Sequence, residues 1–297
     1  MTNKPASDNR LFLTGMILSM ICWGFSWTSG KILAGYSDPM TISFLRFGLT
    51  FISLLFIVFI LREKFAIHIT GLRDLVIASL FISLYTFLFF KGLTVGKAGA
   101  GGVLVTVLNP IIAYAISMII ARRKPSTNET IGLAIGLIAG VVLLNLITHA
   151  NQLFDAGNIY FLCASLCWAL LSLFTAKSSR YGSSIAFSFW MYGLSTIILL
   201  FFSDISHATD VMKTGDFMFW LNLFFSATIT TSLATTFYFF ATARIGASKA
   251  SSFIFMVPIS AALGSWIFLN EIPKINTIIG GILGIAAVYT LNKKPVS

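Results

Sequence analysis

The chain reads YSDPMTISF at residues 36–44 and YGSSIAFSF at residues 181–189, an offset of 145 residues. At the same offset, Cys22-Trp23-Gly24 recurs as Cys167-Trp168-Ala169. Prolines and glycines further along each half repeat at an offset of 148: Pro110, Pro125, Gly132 and Gly136 recur as Pro258, Pro273, Gly280 and Gly284. Because so many turn-forming and motif residues recur at nearly the same offset, we predict that the chain consists of two copies of one unit.

Both copies are too apolar to fold in water. Of the 297 residues, 57% are hydrophobic and 10% are charged, whereas a soluble domain carries about 25% charged residues. A membrane-spanning helix needs about 20 apolar residues, and the sequence offers ten such segments, at 11–34, 41–61, 74–95, 99–121, 130–148, 157–177, 183–203, 217–243, 249–269 and 275–291. The predicted fold class is therefore an all-α membrane protein with ten transmembrane helices.

The two copies are predicted to cross the membrane in opposite directions. The first repeat takes residues 1–148 and the second takes residues 149–297, with five segments each. Because five is an odd number, the second repeat enters the membrane from the opposite face. Charge agrees with the inversion, since the basic connector Arg122–Pro125 corresponds to Asn270–Pro273, which carries an acid. The prediction is two inverted five-helix repeats around a central cavity.

The basic residues indicate the orientation in the membrane. The net charge is +10 and the pI is about 9.7, but the bases lie in short connectors and form no dense run of the kind that binds nucleic acid. With the N-terminus inside the cell, fourteen of the twenty Lys and Arg residues fall on the inner side, as the positive-inside rule requires. We therefore expect a multi-pass protein of the cytoplasmic (inner) membrane with both termini in the cytoplasm and the lipid bilayer as a partner.

These residues resemble the drug/metabolite transporter superfamily, and within it the EamA-type transporters with ten spans. The likeness covers nearly the whole chain. It rests on Cys22-Trp23-Gly24, Leu45-Arg46-Phe47 and Gly92-Leu93 in the first half, and on Ala243–Ser248, Val257-Pro258 and Asn270-Glu271 in the second. The resemblance implies a carrier of small metabolites, commonly amino-acid-like or drug-like and often exported, with a central cavity at the interface of the repeats.

One permanent charge lies inside a predicted span. Arg46 falls a few residues into the second segment, where an unpaired guanidinium costs about 3 kcal/mol at the bilayer centre. It is either an anchor for a substrate carboxylate or a boundary residue that aromatic rings and carbonyl groups hold in place. Lys91 and Lys31 fall near the same outer end and would make the mouth of the cavity positive, although either lysine alone could simply extend its amine to the interface.

Aromatic and polar side chains within the spans are the other candidates for binding substrate. Trp23 and Trp168 occupy matched repeat positions and either pack the interface of the repeats or form walls of the cavity. Asn109 is expected to face another helix or the cavity, because a buried amide without partners costs a few kcal/mol. The remaining candidates are Trp27, Tyr85, Ser172, Tyr192, Tyr238 and Ser260. Serine hydroxyls in membrane helices more often bond their own backbone.

Pro110 and Pro258 occupy matched positions in the fourth and ninth segments. Each proline removes a backbone hydrogen bond and favours a kink. Kinked helices at corresponding places in two repeats mark a binding site or a moving part, so the two prolines are predicted as hinges, with a packing kink as the alternative.

Small residues recur on the fifth and tenth segments. Gly132, Gly136 and Gly140 on the fifth, and Gly280 and Gly284 on the tenth, form faces that permit close helix contact. Such faces could join the two halves of one chain or join two chains in a homodimer.

The pattern favours a secondary transporter over an enzyme. No nucleophile, base and orienting residue occur together, and the three His and three Cys show no metal-ligand spacing, so neither catalytic residues nor a metal or cofactor is expected. No carboxylate falls at mid-membrane, and proton coupling would need a rim residue such as Glu271 or Asp38. We expect alternating-access export of a small, amino-acid-like metabolite through a cavity lined by segments one, three, four, six, eight and nine. The alternatives are a channel and a lipid-handling membrane protein.

Overall fold

The computed structural model describes residues 6–122, 124–146, 156–238 and 252–292. Within these ranges the chain is helical apart from short connectors and one isolated β-bridge between Ile67 and Gly182. The predicted boundary between the repeats, after residue 148, lies outside the described residues, as does the stretch Ala243–Ser248.

The helices follow the order of the predicted segments, with one addition. The first half contains α1 (Ala6–Leu33), α2 (Pro39–Ile60), α3 (Leu72–Val95), α4 (Ala98–Ala121) and α5 (Thr127–Leu143). The second half contains α6 (Ala156–Thr175), α7 (Ser184–Phe202), α8 (Ile205–Thr214), α9 (Phe217–Phe224), α10 (Met256–Leu269) and α11 (Ile275–Asn292). A π-helix, Phe225–Ala234, continues α9. The short α8, which buries Ala208 and Val211, lies where the sequence predicts only a connector.

Seven helices in the described part of the chain are long and apolar enough to cross a membrane. They are α1, α2, α3, α4, α6, α7 and the segment that α9 forms with the π-helix. Three further apolar helices, α5, α10 and α11, are shorter. The chain is thus an all-helical, multi-pass membrane protein, and the count of ten spans remains a prediction.

Local sequence explains where several helices begin and end. Asp38 caps α2, because its carboxylate accepts hydrogen bonds from the backbone N–H groups of Met40 and Thr41 while Pro39 fills the first helical position. Ser126 and Glu129 form a capping box at the start of α5. Arg122 and Asn270, which occupy matched positions after α4 and α10, both adopt left-handed backbone conformations with φ of 50° and 54°. The two halves therefore end corresponding helices in the same way.

Contacts between α5 and α11 repeat with the partners exchanged. A Cβ atom added to Gly132 would lie 2.7 Å from Leu291 Cγ, and one added to Gly280 would lie 2.6 Å from Leu143 Cγ. Gly280 and Leu291 stand 148 residues after Gly132 and Leu143, so each contact is the other with its repeat positions swapped. The start of each helix meets the end of the other, which means that α5 and α11 run antiparallel.

The same exchange occurs between α2 and α7. A Cβ on Gly193 would meet the ring of Phe51 at 2.7 Å, and a Cβ on Gly48 would meet Thr196 Cγ2 at 3.7 Å. These pairs are related by the offset of 145 residues. The two helices again run antiparallel, because earlier residues of α2 face later residues of α7.

The glycines of the small-residue faces contact helices of the same chain. Gly136 lies against Ile111 and Gly284 lies against Val107, both on α4. These contacts account for the small side chains by packing within one chain. A homodimer through the same faces remains a prediction.

Matched tyrosines tie the connectors to the bundle at two places. Tyr36, after α1, donates a hydrogen bond to Asp216 at 2.6 Å. Tyr181, after α6, donates one to Asp74 at 2.8 Å. Tyr36 and Tyr181 are 145 residues apart, and each acceptor stands at the beginning of the third long helix of the opposite half, α9 or α3. We call these hydrogen bonds the Tyr–Asp contacts.

Candidate substrate site

Helices of both halves surround a cavity of about 130 Å³, which we call the central cavity. It has room for several ordered waters or one small solute. Its walls come from α1, α3, α4, α6, α10 and the π-helix, which correspond to the six predicted segments, and also from α2 and α7. Seven of the candidate residues line it: Trp23, Trp27, Arg46, Tyr85, Asn109, Trp168 and Tyr192.

Arg46 is the charged residue of the central cavity. It is only 8% exposed, and its Nη2 donates a hydrogen bond to Thr231 Oγ1 at 3.1 Å. The guanidinium carbon lies 5.3 Å from the ring centre of Phe89 and 5.8 Å from that of Phe90, within cation–π range. Arg46 Nε is buried without a hydrogen-bond partner among the described residues. The described lining includes neither Asp nor Glu, so the cavity carries one positive charge with no acidic counterpart there.

The π-helix supplies a polar wall opposite Arg46. Thr231 and Ser232 each donate a side-chain hydrogen bond to the carbonyl five residues earlier, at Ser226 and Ala227, as the wider turn of a π-helix permits. Trp23 Nε1 donates to the carbonyl of Thr230 at 3.1 Å. π-Helical segments are rare in proteins, and those that do occur are frequently found at functional sites. This one brings threonine hydroxyls and backbone to the centre of the molecule.

Two tryptophan–tyrosine pairs line or flank the central cavity in corresponding ways. Trp168 on α6 lies 4.7 Å from Tyr85 on α3, measured between ring centres. Trp23 on α1 lies 5.2 Å from Tyr238, which follows the π-helix. Trp23 and Trp168 are repeat mates, so each contacts a tyrosine from the third long segment of the other half. Each tryptophan both lines the cavity and packs the two halves together.

A second cavity, of about 690 Å³, adjoins the central cavity at Thr106 and Ile254, which line both. Its lining is largely apolar and includes the candidates Ser172, Pro110 and Pro258. Lys177 and Arg180 stand on its edge, just after α6. The second cavity thus continues the central cavity toward the end of α6 that carries these two cations.

Residues along α6 show that the opposite end of the central cavity is closed. Going back along this helix from Lys177, Trp168 lines the central cavity and Phe161 is fully buried beyond it. The indole of Trp27 packs between Phe161, at 5.7 Å, and Phe89, at 4.7 Å. We call Trp27, Phe89 and Phe161 the aromatic plug.

Lys31 stabilises the closed end beyond the aromatic plug. Its Nζ donates hydrogen bonds to the carbonyl groups of Leu93 at 2.5 Å and Gly96 at 2.8 Å. These carbonyls belong to the last turn of α3 and its cap, where the negative end of the helix dipole favours a cation. Lys31 therefore joins α1 to the end of α3.

Three other candidates lie outside the lining of the central cavity. Tyr238 reaches it only through its contact with Trp23. Ser260 is buried, and its hydroxyl donates to the carbonyl of Met256, one turn earlier, at 2.9 Å. Lys91, on α3, is half-buried and lines neither cavity.

The two prolines differ in their helical context. Pro110 lies inside the continuous helix α4. Pro258 lies in the first turn of α10, directly after a 3₁₀ turn at Ser252–Phe255, and not in the middle of one continuous helix as the predicted segment implied. A proline in a first turn removes no intrahelical hydrogen bond, because the N–H groups there have no partner in the helix. The hinge role of both prolines remains a prediction.

The sequence did not indicate three hydroxyl-bearing residues of the lining, Thr230, Thr231 and Thr235. Their signal is the run SATITTSLATT at residues 226–236, which places five threonines and two serines in an apolar span. Hydroxyls at this density predict a wall that faces a polar space, because lipid offers them no partners.

Comparison with known proteins assigns the chain to a class. The model of the EamA-like transporter family matches residues 11–146 and again residues 155–293. The uncharacterized transporter YoaV of Bacillus subtilis is 29% identical over 283 residues, which cover 93% of this chain and 95% of YoaV. The uncharacterized transporter YvbV of the same organism is 26% identical over 304 residues, which cover 99% of this chain and 94% of YvbV. A crystal structure with 14% identity has a TM-score of 0.62 and covers 93% of this chain and 95% of its own, which shows a shared fold.

The protein is a multi-pass helical bundle with a cavity between its two halves, and its relatives are named as transporters. These features place it in the class of membrane transporters. The chain belongs to the EamA-like transporter family, whose model matches it twice, once in each half.

Proposed function

We propose that the protein is a secondary transporter that exports a small, amino-acid-like metabolite across the cytoplasmic membrane by alternating access. The observation that carries this proposal is the central cavity, which is enclosed by helices of both halves and holds the buried Arg46. The cavity is large enough for a small solute and lies at the interface of two repeats. When one repeat rocks against the other, a site at such an interface is exposed to each side of the membrane in turn.

An inverted relation between the halves supports this mechanism. The helices α5 and α11 run antiparallel, as do α2 and α7, and each pair makes the same contact twice with the two repeat positions swapped. This arrangement fits a pseudo-two-fold axis that runs perpendicular to the helices. Such an axis lies in the membrane plane and makes the two faces of the protein equivalent in design. The same five-helix unit could then close the cavity on either side.

The asymmetry of the cavity supports one state of the cycle. The aromatic plug and Lys31 close one end, while the second cavity extends the site toward Lys177 and Arg180. With the termini in the cytoplasm, the cationic end of α6 faces the cytoplasm. In this orientation the open end of the site would face the cytoplasm, from which an exported solute is loaded.

Counterflow in proteoliposomes tests the proposal. Purified full-length protein is reconstituted, and uptake of labelled solutes is followed with and without unlabelled solute in the lumen. The solutes are alanine, leucine and phenylalanine, and their hydroxy-acid counterparts lactate, 2-hydroxy-4-methylpentanoate and 3-phenyllactate. We expect saturable uptake of at least one solute that is accelerated by solute on the far side. Unsaturable flux without such acceleration would indicate a channel, and no protein-dependent flux of any of the six would overturn the amino-acid-like assignment.

A further inference from the structure

We propose that the central cavity binds its substrate as a monoanion, through a carboxylate held by Arg46, and that an α-ammonium group is not recognised. The inference rests on the proposed function and narrows its substrate class to small monocarboxylates such as 2-hydroxy or 2-oxo acids with an apolar side chain. It further implies that each transport cycle moves one net negative charge.

Arg46 has unused capacity to bind an anion. A guanidinium offers five N–H donors in a planar fork, and the structure records one hydrogen bond from it, to Thr231. The side chain is more than nine-tenths buried, and yet its Nε has no hydrogen-bond partner among the described residues. A carboxylate is the ligand that two neighbouring donors of this fork match best.

The charge of the cavity decides between an amino acid and a monoanion. Arg46 contributes one positive charge, and the described lining contributes no Asp or Glu. A zwitterionic amino acid would leave the loaded site with that positive charge, whereas a monoanion makes the loaded site neutral. A neutral site is favoured inside a bilayer, because an uncompensated charge there is costly.

The neutral polar groups of the lining suit a hydroxyl or keto group better than an ammonium. Thr106 already donates to the carbonyl of Gly102 at 2.5 Å, and the carbonyl of Thr230 already accepts from Trp23. The other serine and threonine hydroxyls of the lining likewise donate to backbone carbonyls. The lining groups with no hydrogen bond among the described residues are the hydroxyls of Tyr85 and Tyr192 and the amide of Asn109, each of which can donate or accept. A ligand hydroxyl can donate to or accept from these groups, and a keto oxygen can accept from them, whereas an ammonium needs acceptors for three protons and a negative charge nearby.

The membrane potential would then drive export. A cell interior that is negative by about 100 mV favours the exit of a monovalent anion by about 50-fold in the concentration ratio at equilibrium. No proton-carrying acid within the cavity is required for this cycle. The arrangement accounts for export from a cavity whose described lining has a cation and no carboxylate.

Matched solute pairs and a clamped potential test the inference on the unmodified protein. Each pair differs only in an ammonium or a hydroxyl on the same carbon: leucine against 2-hydroxy-4-methylpentanoate, and phenylalanine against 3-phenyllactate. We expect the hydroxy acid of a pair to be transported with at least tenfold higher Vmax/KM than the amino acid. With valinomycin and a potassium gradient that make the lumen about 100 mV positive, it should accumulate up to about 50-fold, and protein-free vesicles should show no such uptake.

Two results would overturn the inference. One is preference for the amino acid in both pairs, and the other is accumulation of the hydroxy acid that ignores the potential. Either result leaves the carrier itself intact, since counterflow would still occur. Loss of counterflow for all solutes is the separate result that overturns the proposed function. An Arg46→Gln variant should lose hydroxy-acid transport, while Lys213→Gln, an exposed cation on α8, should keep it.

Discussion

Arg46 shows how one residue can set the chemistry of a site. Its guanidinium rests near two phenylalanine rings and one threonine hydroxyl, which orient the fork without neutralising it. An acid in contact would have paired the charge and removed it from use. The structure therefore fits an arginine that is held in place for a ligand.

Replacing Arg46 by lysine separates charge from geometry. Arg46→Lys keeps the positive charge but loses the planar fork, so we expect KM for the transported acid to rise about 10–100-fold. Counterflow kinetics in proteoliposomes measure the change, with Lys213→Gln as the control. Unchanged kinetics in Arg46→Lys would show that the fork does not contact substrate.

Thr231 is expected to act as a positioning residue for Arg46. Thr231→Val removes the hydrogen bond to Nη2 and should raise KM about 3–10-fold with little change in Vmax, and Thr231→Ser should restore it. The matched control is Thr228→Val, because Thr228 lies in the same π-helix but bonds Ser53. Equal effects of the two valine variants would indicate a general disturbance of the π-helix and not a role at Arg46.

At the scale of helices, the exchanged contacts predict different tolerance at two glycines. A Cβ on Gly280 would lie 2.6 Å from Leu143 Cγ and 3.0 Å from the Leu143 backbone nitrogen, which cannot turn away. Gly280→Ala should therefore destabilise the protein by about 1–3 kcal/mol. Gly48→Ala meets only ordinary contact at 3.7 Å and should be neutral or stabilising, because alanine favours a helix by up to about 1 kcal/mol. Thermal unfolding in detergent compares them, and equal shifts would contradict the close packing of α5 on α11.

The Tyr–Asp contact on the α1–α2 connector predicts a pH dependence. Hydrogen bonds from the Tyr36 hydroxyl and the Phe219 N–H hold the pKa of Asp216 below its usual range. A lowered carboxyl pKa contributes stability above about pH 4, and this contribution is lost as the pH falls through the lowered value. Tyr36→Phe should therefore lower Tm at pH 7, and its difference from the unmodified protein should shrink as the pH is lowered from about 4 through the lowered pKa. A difference that stays constant over this range would contradict the contact.

For the whole molecule, the sequence was informative wherever repeated residues mark the same local structure. Tyr36 and Tyr181 form corresponding hydrogen bonds, and Arg122 and Asn270 end corresponding helices. Membership of the EamA-like family, which the resemblance carried by motifs such as Cys22-Trp23-Gly24 and Leu45-Arg46-Phe47 predicted, is confirmed. The inward orientation of Arg46 could be predicted because a charged side chain within a span must find polar surroundings, whereas the aromatic residues, which lipid also accepts, could only be proposed as candidates.

Other features depend on tertiary packing and could not be predicted. Whether the run 226–236 forms an α-helix or a π-helix depends on its contacts with α1 and α2, since both helices accept the same residues. Lys91 lies one residue before Gly92 on α3, but helix rotation places it outside both cavities. The position of Pro258 within its helix was also predicted wrongly. The predicted segment 249–269 placed it in mid-helix, whereas α10 begins only at Met256.

The central claim is that the two halves thread the membrane in opposite directions. Lys64, after α2, and Lys213, after α7, are both exposed and can each be changed to cysteine in a chain whose native Cys22, Cys163 and Cys167 are replaced by alanine. A membrane-impermeant maleimide applied to intact cells should label Lys213→Cys at once and Lys64→Cys only after the membrane is permeabilised. Labelling of both positions from the same side of the membrane would contradict the inverted arrangement and, with it, the carrier.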